Sequence, residues 1–228
     1  MKKVIYLSLL IGCSSLYAQN GDNLHKQDKG SVIITKNSEI KGTDFVYEEW
    51  NRGMLVLNDS IFSKQDFLKF DVFKNRVFIK KNNEEIEIQD RSLSGFSIIE
   101  EGRNLKHDFV KLTMKHFKNF VDEGFYEIVF NIQNTNYFIK KNTKILFDPN
   151  RSKGSQTINN YPLEYKDKIF YFIKNNDGLY VKVRLKKKNI KAVLVNQNKL
   201  IDAYMKSKKL KYYNEGDVVK LVNYYYSL

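Results

Sequence analysis

The chain holds three histidines, His25, His107 and His116, and one cysteine, Cys13, so the groups that most often carry acid–base, nucleophilic or metal chemistry are few. His107 and His116 stand nine residues apart. That is neither the i, i+4 interval that places two ligands on one helical face nor a zinc-site spacing, and no acidic or cysteine cluster completes a set. Both read as ordinary surface histidines, and no catalytic residue, bound metal or cofactor is expected. Neither a Gly-x-Ser-x-Gly elbow nor a glycine-rich phosphate loop occurs. Glu48 and Glu49 before Trp50 suit two acids beside a sugar-stacking ring, but a lone tryptophan next to acids reads more simply as a packing residue at a sheet edge. Asp59-Ser60-Ile61 matches a short acceptor pattern for protein O-glycosylation at Ser60, on a stretch that reads equally as a plain hairpin turn.

What the chain has in excess is lysine. The formal charge is +13, from 39 Lys and Arg against 26 Asp and Glu, and 33 of the 39 are Lys. Residues 19–136 hold 17 basic against 19 acidic side chains, whereas residues 137–228 hold 20 against 7. The excess is therefore C-terminal, and it belongs to a side chain that acts as a diffuse point charge more than as a bidentate reader of phosphate. Its two densest runs are LKKKNIK, with Lys186, Lys187, Lys188 and Lys191, and MKSKKLKYY, with Lys206, Lys208, Lys209 and Lys211. These eight are the candidate contacts for an anionic surface, against the plainer reading of a solubilising coat. Lysine beside aromatic rings also suits a nucleic-acid backbone, but the scarcity of Arg and the absence of any nucleic-acid fold signature argue against that partner.

The elements that must position these residues are legible as hydrophobic periods. In DFLKFDVF, Leu68, Phe70 and Val72 alternate with Lys69 and Asp71, the period of a half-buried strand. RVFIKKNNEEIEIQ continues as a hairpin about Asn82-Asn83, MLVLNDSIF turns at Asn58-Asp59, and YEIVFNIQNTNYFIKKNTKILF turns at Asn134 to Asn136. KIFYFIKNNDGLYVKVRL folds back at Asn175-Asn176-Asp177-Gly178. HDFVKLTMKHFKNFVDEG predicts a strand followed by a short helical turn. Beyond Leu185 the period lengthens: NIKAVLV predicts one helix, Leu200, Ile201, Tyr204 and Met205 form the stripe of a second, and Val218, Leu221, Val222, Tyr225 and Leu228 that of a third. Asn214 with Asp217 three residues on is a start signal for the last. The expected fold class is α+β, mainly antiparallel β hairpins in a curved sheet, sandwich or partial barrel, closed by two to three C-terminal helices.

The opening MKKVIYLSLLIGCSSLYAQN has the parts of an export signal: a basic start, an apolar run from Val4 toward Leu16, and small residues before a cut. The run is too short to span a bilayer. Cutting after Ala18 leaves a free periplasmic or secreted protein starting at Gln19; cutting before Cys13, after Leu10-Ile11-Gly12, leaves a lipoprotein anchored through that cysteine. The longer apolar segment favours Ala18. The expected organisation is a signal peptide over 1–18, a flexible arm over 19–42, a β-rich region over 43–148, a polar loop over 149–160, and a hairpin with helices over 161–228 packed on the β-rich region as one unit.

Two stretches carry a likeness. KGTDFVYEEWNRGMLVLND followed by LKFDVFKNRVFIKKNNEEIEI, and the end from FYFIKNNDGLYVKVRL to KLVNYYYSL, resemble a family of uncharacterised exported proteins of Bacteroidota with a β-rich body and a Lys-rich helical end. The positions carrying it are Gly42, Phe45, Glu48 to Trp50 and Leu68 to Asp71. The resemblance implies the same architecture and assigns no activity, so no functional residue comes from it. Three classes of function follow: a non-enzymatic cell-envelope protein that binds an anionic envelope component or another envelope protein, a carrier of an apolar ligand in a curved-sheet cavity, and a hydrolase with an unrecognised site.

Overall fold

The computed structural model describes residues 40–61, 65–150 and 161–228. The expected signal peptide with Cys13 and Ala18, the expected arm as far as residue 39 with His25, and residues 151–160 of the polar loop lie outside the described residues. Twelve strands run in chain order: β1 (Ile40–Lys41), β2 (Asn51–Leu57), β3 (Ser60–Ile61), β4 (Asp66–Asp71), β5 (Arg76–Lys81), β6 (Glu84–Glu87), β7 (Leu93–Glu100), β8 (Leu105–Leu112), β9 (Gly124–Ile132), β10 (Thr135–Phe147), β11 (Leu163–Lys174) and β12 (Tyr180–Val183). Helices α1 (Lys187–Val193), α2 (Asn198–Ser207) and α3 (Glu215–Tyr226) close the chain. The α+β class read from the hydrophobic periods is the observed one.

Three hairpins share one turning device. Asn58-Asp59, Asn82-Asn83 and Gln133-Asn134 each hold two successive residues at φ between 47° and 65°, the two-residue turn whose twist matches right-twisted strands and which asparagine accepts with little strain. The third lies one residue earlier than the expected Asn134 to Asn136, because Ile132 pairs with Thr135 and leaves room for two residues only. At the fourth hairpin Asn175 Oδ1 accepts bonds from the amides of Asp177 and Leu179, and Gly178 supplies φ +79°.

All strands belong to one open sheet in the order β1-β11-β10-β9-β8-β7-β2-β4-β5-β6, with β12 also on β11 and β3 on β2. Every pairing is antiparallel except β1 on β11. The expected arm ends earlier than Gly42: Ile40 and Lys41 already pair with Leu163 and Glu164. The residues that follow then bond to β4, Val46 N–H to Phe70 O at 2.9 Å and Val72 N–H to Asp44 O at 3.1 Å. This strap therefore ties β11 to β4, two strands six places apart in the sheet.

The sheet is strongly curled, and its inner face carries two apolar clusters. One fills the curl of β2, β4, β5, β7 and β8: Phe96 stacks on Phe109 at 4.6 Å, and Phe70 meets both edge-on, at 5.1 and 5.4 Å. Such pairs add to the area they bury. The curl needs Gly53, where a Cβ would lie 2.3 Å from Ser97 O and 2.7 Å from a Leu68 methyl. The other cluster joins Phe138 and Ile173 to the helices through Ile190, Val193, Ile201, Met205, Val218, Leu221, Val222 and Tyr225. Asn214 caps α3 as its type predicts, accepting the Asp217 amide at 3.0 Å. Leu200 and Leu228 do not join their expected stripes, being 44% and 58% exposed. Leu200 lies a full 100° step from Ile201 on the helix, and Leu228 falls past the end of α3, where the 3.6 period stops. A third cluster, Leu112, Phe117, Tyr126, Ile139, Phe172 and Tyr180, lies on the outer face of β8 to β12 beneath the loop between β8 and β9.

Candidate functional site

The structure divides the eight candidate lysines. Lys187 and Lys191 lie one turn apart on α1 and both bind Asp202 of α2, at 2.9 and 2.7 Å. Those two bonds hold the Asp202 carboxyl well below its ordinary range, at about 2. Their charge is spent on joining two helices. Lys211 sits beside the Tyr213 ring and donates its backbone amide to Asp217 at 3.0 Å. Lys186, Lys188, Lys206, Lys208 and Lys209 are exposed and form no ion pair among the described residues. The turn that ends α2, with Lys209 at φ +54°, presents three of them together.

A second site lies on the inner face of β8 to β11, between the two inner clusters. Tyr171, Lys140 and Glu127 stand opposite one another on β11, β10 and β9. Asn142 follows Lys140 on the same face of β10, and His107 lies two residues before Phe109, the β8 partner of Glu127. The Glu127 carboxylate is 6% exposed and receives three donors: His107 Nδ1 at 2.8 Å, Lys140 Nζ at 3.2 Å and Asn142 Nδ2 at 2.5 Å. Lys140 also binds Glu215 Oε1, in the first turn of α3, at 3.2 Å. The positive end of the α3 dipole favours a carboxylate there. One lysine thus ties the sheet to the last helix through two carboxylates.

The protonation of this centre follows from its neighbours. Burial works to raise the Glu127 pKa, but the His107 bond, the Lys140 charge and the Asn142 bond outweigh it and leave it below the ordinary glutamate value. The Glu127 bond raises the His107 pKa above the ordinary imidazole value, against the opposing effect of burial. His107 Nε2 is buried without a hydrogen-bond partner and lies 3.6 Å from Glu100 Oε2, so the ring sits between two carboxylates and suits the imidazolium form. The Tyr47 ring covers it at 5.5 Å. No hydroxyl or thiol is bonded to His107 among the described residues, so the centre can hold and release a proton at the imidazole but has no nucleophile in place.

His107 is thus no surface histidine: its side chain is 20% exposed and charge-paired. The spacing rules pair it only with His116, whereas its partners are Glu127 on β9, Glu100 at the end of β7 and the Tyr47 ring. The one signal in the sequence is Glu127 itself, an acid within the apolar run GFYEIVF, in a strand that buries Gly124 to Glu127. His116 is not brought to His107; its Nδ1 accepts the Thr113 amide at 3.1 Å and closes the short helical turn after β8. Glu48 and Glu49 are exposed, while Trp50 is half-buried with Lys69 Nζ 5.2 Å from its ring, the packing role expected of it. Ser60 is exposed on β3, directly after the Asn58-Asp59 turn.

Fold and site define an open, curled, mainly antiparallel sheet capped by three helices, with a buried carboxylate–imidazole–lysine centre at the junction. Comparison with protein-family models, with curated proteins and with solved structures finds no match.

Proposed function

We propose that the chain is an exported, non-enzymatic protein of the cell envelope whose basic C-terminal half holds an anionic partner. The observation that carries this reading is the set of exposed lysines at the helical end without ion partners among the described residues, Lys186, Lys188, Lys206, Lys208 and Lys209, in a segment whose basic residues outnumber its acids 20 to 7. Lysines recruited only as a coat would be expected to interleave with acids, as they do before residue 137. The export signal read at residues 1–18 places an anionic envelope component within reach.

The buried centre supports a structural role for itself more than a catalytic one: both Glu127 oxygens are already bonded within the protein. The stacked rings that fill the curl likewise favour this reading over a carrier. Among the described residues no helix is long and apolar enough to cross a membrane. The reading is tested by titrating the protein with inorganic polyphosphate at low and at high salt. Binding that weakens steeply as salt screens it is expected; no binding at low salt overturns the proposal.

A further inference from the structure

The outer face of β10 to β12 carries a second group of lysines that does not belong to the helical runs. Lys141, Lys168 and Lys182 come from three adjacent strands and surround Phe170: Lys182 Nζ is 3.6 Å and Lys168 Nζ 5.1 Å from its centroid, and Lys141 is paired in register with it. Like charges brought this close repel one another, and among the described residues only Asp122, itself 84% exposed, is placed against any of the three, 3.7 Å from Lys141. Burial and the neighbouring lysine both push the Lys182 ammonium below its ordinary pKa, as a crowded cationic surface requires.

The loop between β8 and β9 crosses this face and is pinned at two points. Lys118 N–H donates to Tyr180 O at 3.0 Å on β12, and Lys141 Nζ donates to Asp122 O at 3.4 Å on β10. Phe117 and Val121 turn inward to the outer cluster, while Phe120, between the two pins, is 82% exposed and Met114 is 47% exposed. Six lysines, Lys115, Lys118, Lys141, Lys168, Lys174 and Lys182, lie on this side, Lys166 and Glu164 pair with each other further along β11, and the loop adds two acids. Those are Asp122, held by Lys141, and Glu123, which accepts the Met114 amide at 3.3 Å. A protruding phenylalanine on a face rich in ammonium groups is complementary to one kind of surface, an anionic headgroup layer over hydrocarbon.

We propose that this outer face docks on an anionic lipid bilayer, with Phe120 entering the headgroup–acyl boundary and Lys118, Lys168 and Lys182 meeting lipid phosphates. A soluble polyanion would satisfy the lysines but give Phe120 nothing to enter. The inference rests on reading the C-terminal half as anion-binding, but it moves the bilayer contact from the helical lysines to the sheet face opposite the helices and leaves the helical lysines to soluble polyanion.

The test is flotation with phosphatidylcholine vesicles, with and without phosphatidylglycerol, at low and high salt, beside titration with inorganic polyphosphate. Wild type, Phe120→Ser, the pair Lys168→Gln with Lys182→Gln, and a helical variant with Lys186, Lys188, Lys206, Lys208 and Lys209 all changed to Gln are compared, each checked for an unchanged unfolding midpoint. The expected result is wild-type binding to anionic vesicles only, weakened about tenfold by Phe120→Ser and about fivefold for each outer lysine lost, with the helical variant floating like wild type. Vesicle binding lost in the helical variant but kept in the outer-face variants overturns this inference and leaves the proposed function standing, as does binding of polyphosphate without vesicles. A wild-type protein that binds neither probe overturns both.

Discussion

Lys140 and Lys141 are neighbours in sequence and opposites in fate. Strand alternation turns Lys140 to the inner face, where Glu127 and Glu215 hold it at 3.2 Å each, and turns Lys141 to the outer face beside Lys182 and the exposed loop. Lys144, on the inner side again, is 10% exposed and paired with Asp167 at 3.2 Å. Inner charges are matched and enclosed; of the outer ones Lys141, itself 15% exposed, leans on the exposed Asp122, while Lys168 and Lys182 form no ion pair among the described residues. The contrast teaches that the C-terminal excess of charge is two populations. One holds the sheet to its helices, and the other is left for a partner.

The contrast breaks most completely if the helices go. Deleting residues 218–228 removes Val218, Leu221, Val222 and Tyr225, each contributing roughly 1.5 to 3 kcal/mol by burial, and uncovers the inner cluster around Phe138 and Ile173. The sum approaches the whole stability of an ordinary domain, so the truncated protein is expected to sediment as aggregate. A soluble truncation with native near-ultraviolet circular dichroism would show that α3 is peripheral.

A smaller and more specific break is Glu127→Ala. It leaves Lys140 and His107 buried without their shared acceptor and is expected to cost about 3 to 5 kcal/mol, read from the urea midpoint. Lys140→Gln should cost less, because Glu127 keeps its His107 and Asn142 donors. A Glu127→Ala protein as stable as wild type would remove the centre from the account.

The sign of the pH dependence sharpens the same comparison. His107 has a folded-state pKa above its ordinary 6.5, so its contribution is full below that value and is lost as pH rises through the folded value. Glu127 has one below its ordinary 4.5, so its contribution is present above that value and is lost as pH falls through the folded value. The margin in unfolding temperature of wild type over His107→Gln should therefore be widest between about pH 4.5 and 6.5 and narrow as pH rises through the raised folded-state value. A margin that grows with pH would contradict the pairing.

The smallest effect belongs to the outer face. Lys168→Gln and Lys182→Gln relieve repulsion and break no ion pair among the described residues, so each should leave stability within about 0.5 kcal/mol of wild type. A large loss in either would mean that the outer lysines are structural too.

Much of the frame could be read before the fold was known, because its signals are local. The asparagine turns, the period of two in DFLKFDVF, the change of period after Leu185 and the Asn214 cap each depend on a few adjacent residues. The buried centre was not readable in this way. Its side chains come from β8, β9, β10 and α3, and no short spacing relates residues 107, 127, 140 and 215. Counting charge located the basic half but could not show that Lys187 and Lys191 are spent on Asp202. Nor could it show that Lys141, Lys168 and Lys182 meet around one ring, which depends on strand register.

Lysine acylation footprinting with and without phosphatidylglycerol vesicles, read residue by residue by mass spectrometry, tests the division of the lysines most directly. The account predicts that Lys140 and Lys144 react slowly in both states, that Lys118, Lys168 and Lys182 react quickly in the free protein and become protected on vesicles, and that Lys206, Lys208 and Lys209 react alike in both. Protection confined to the helical lysines, or an outer face whose reactivity vesicles leave unchanged, would contradict it.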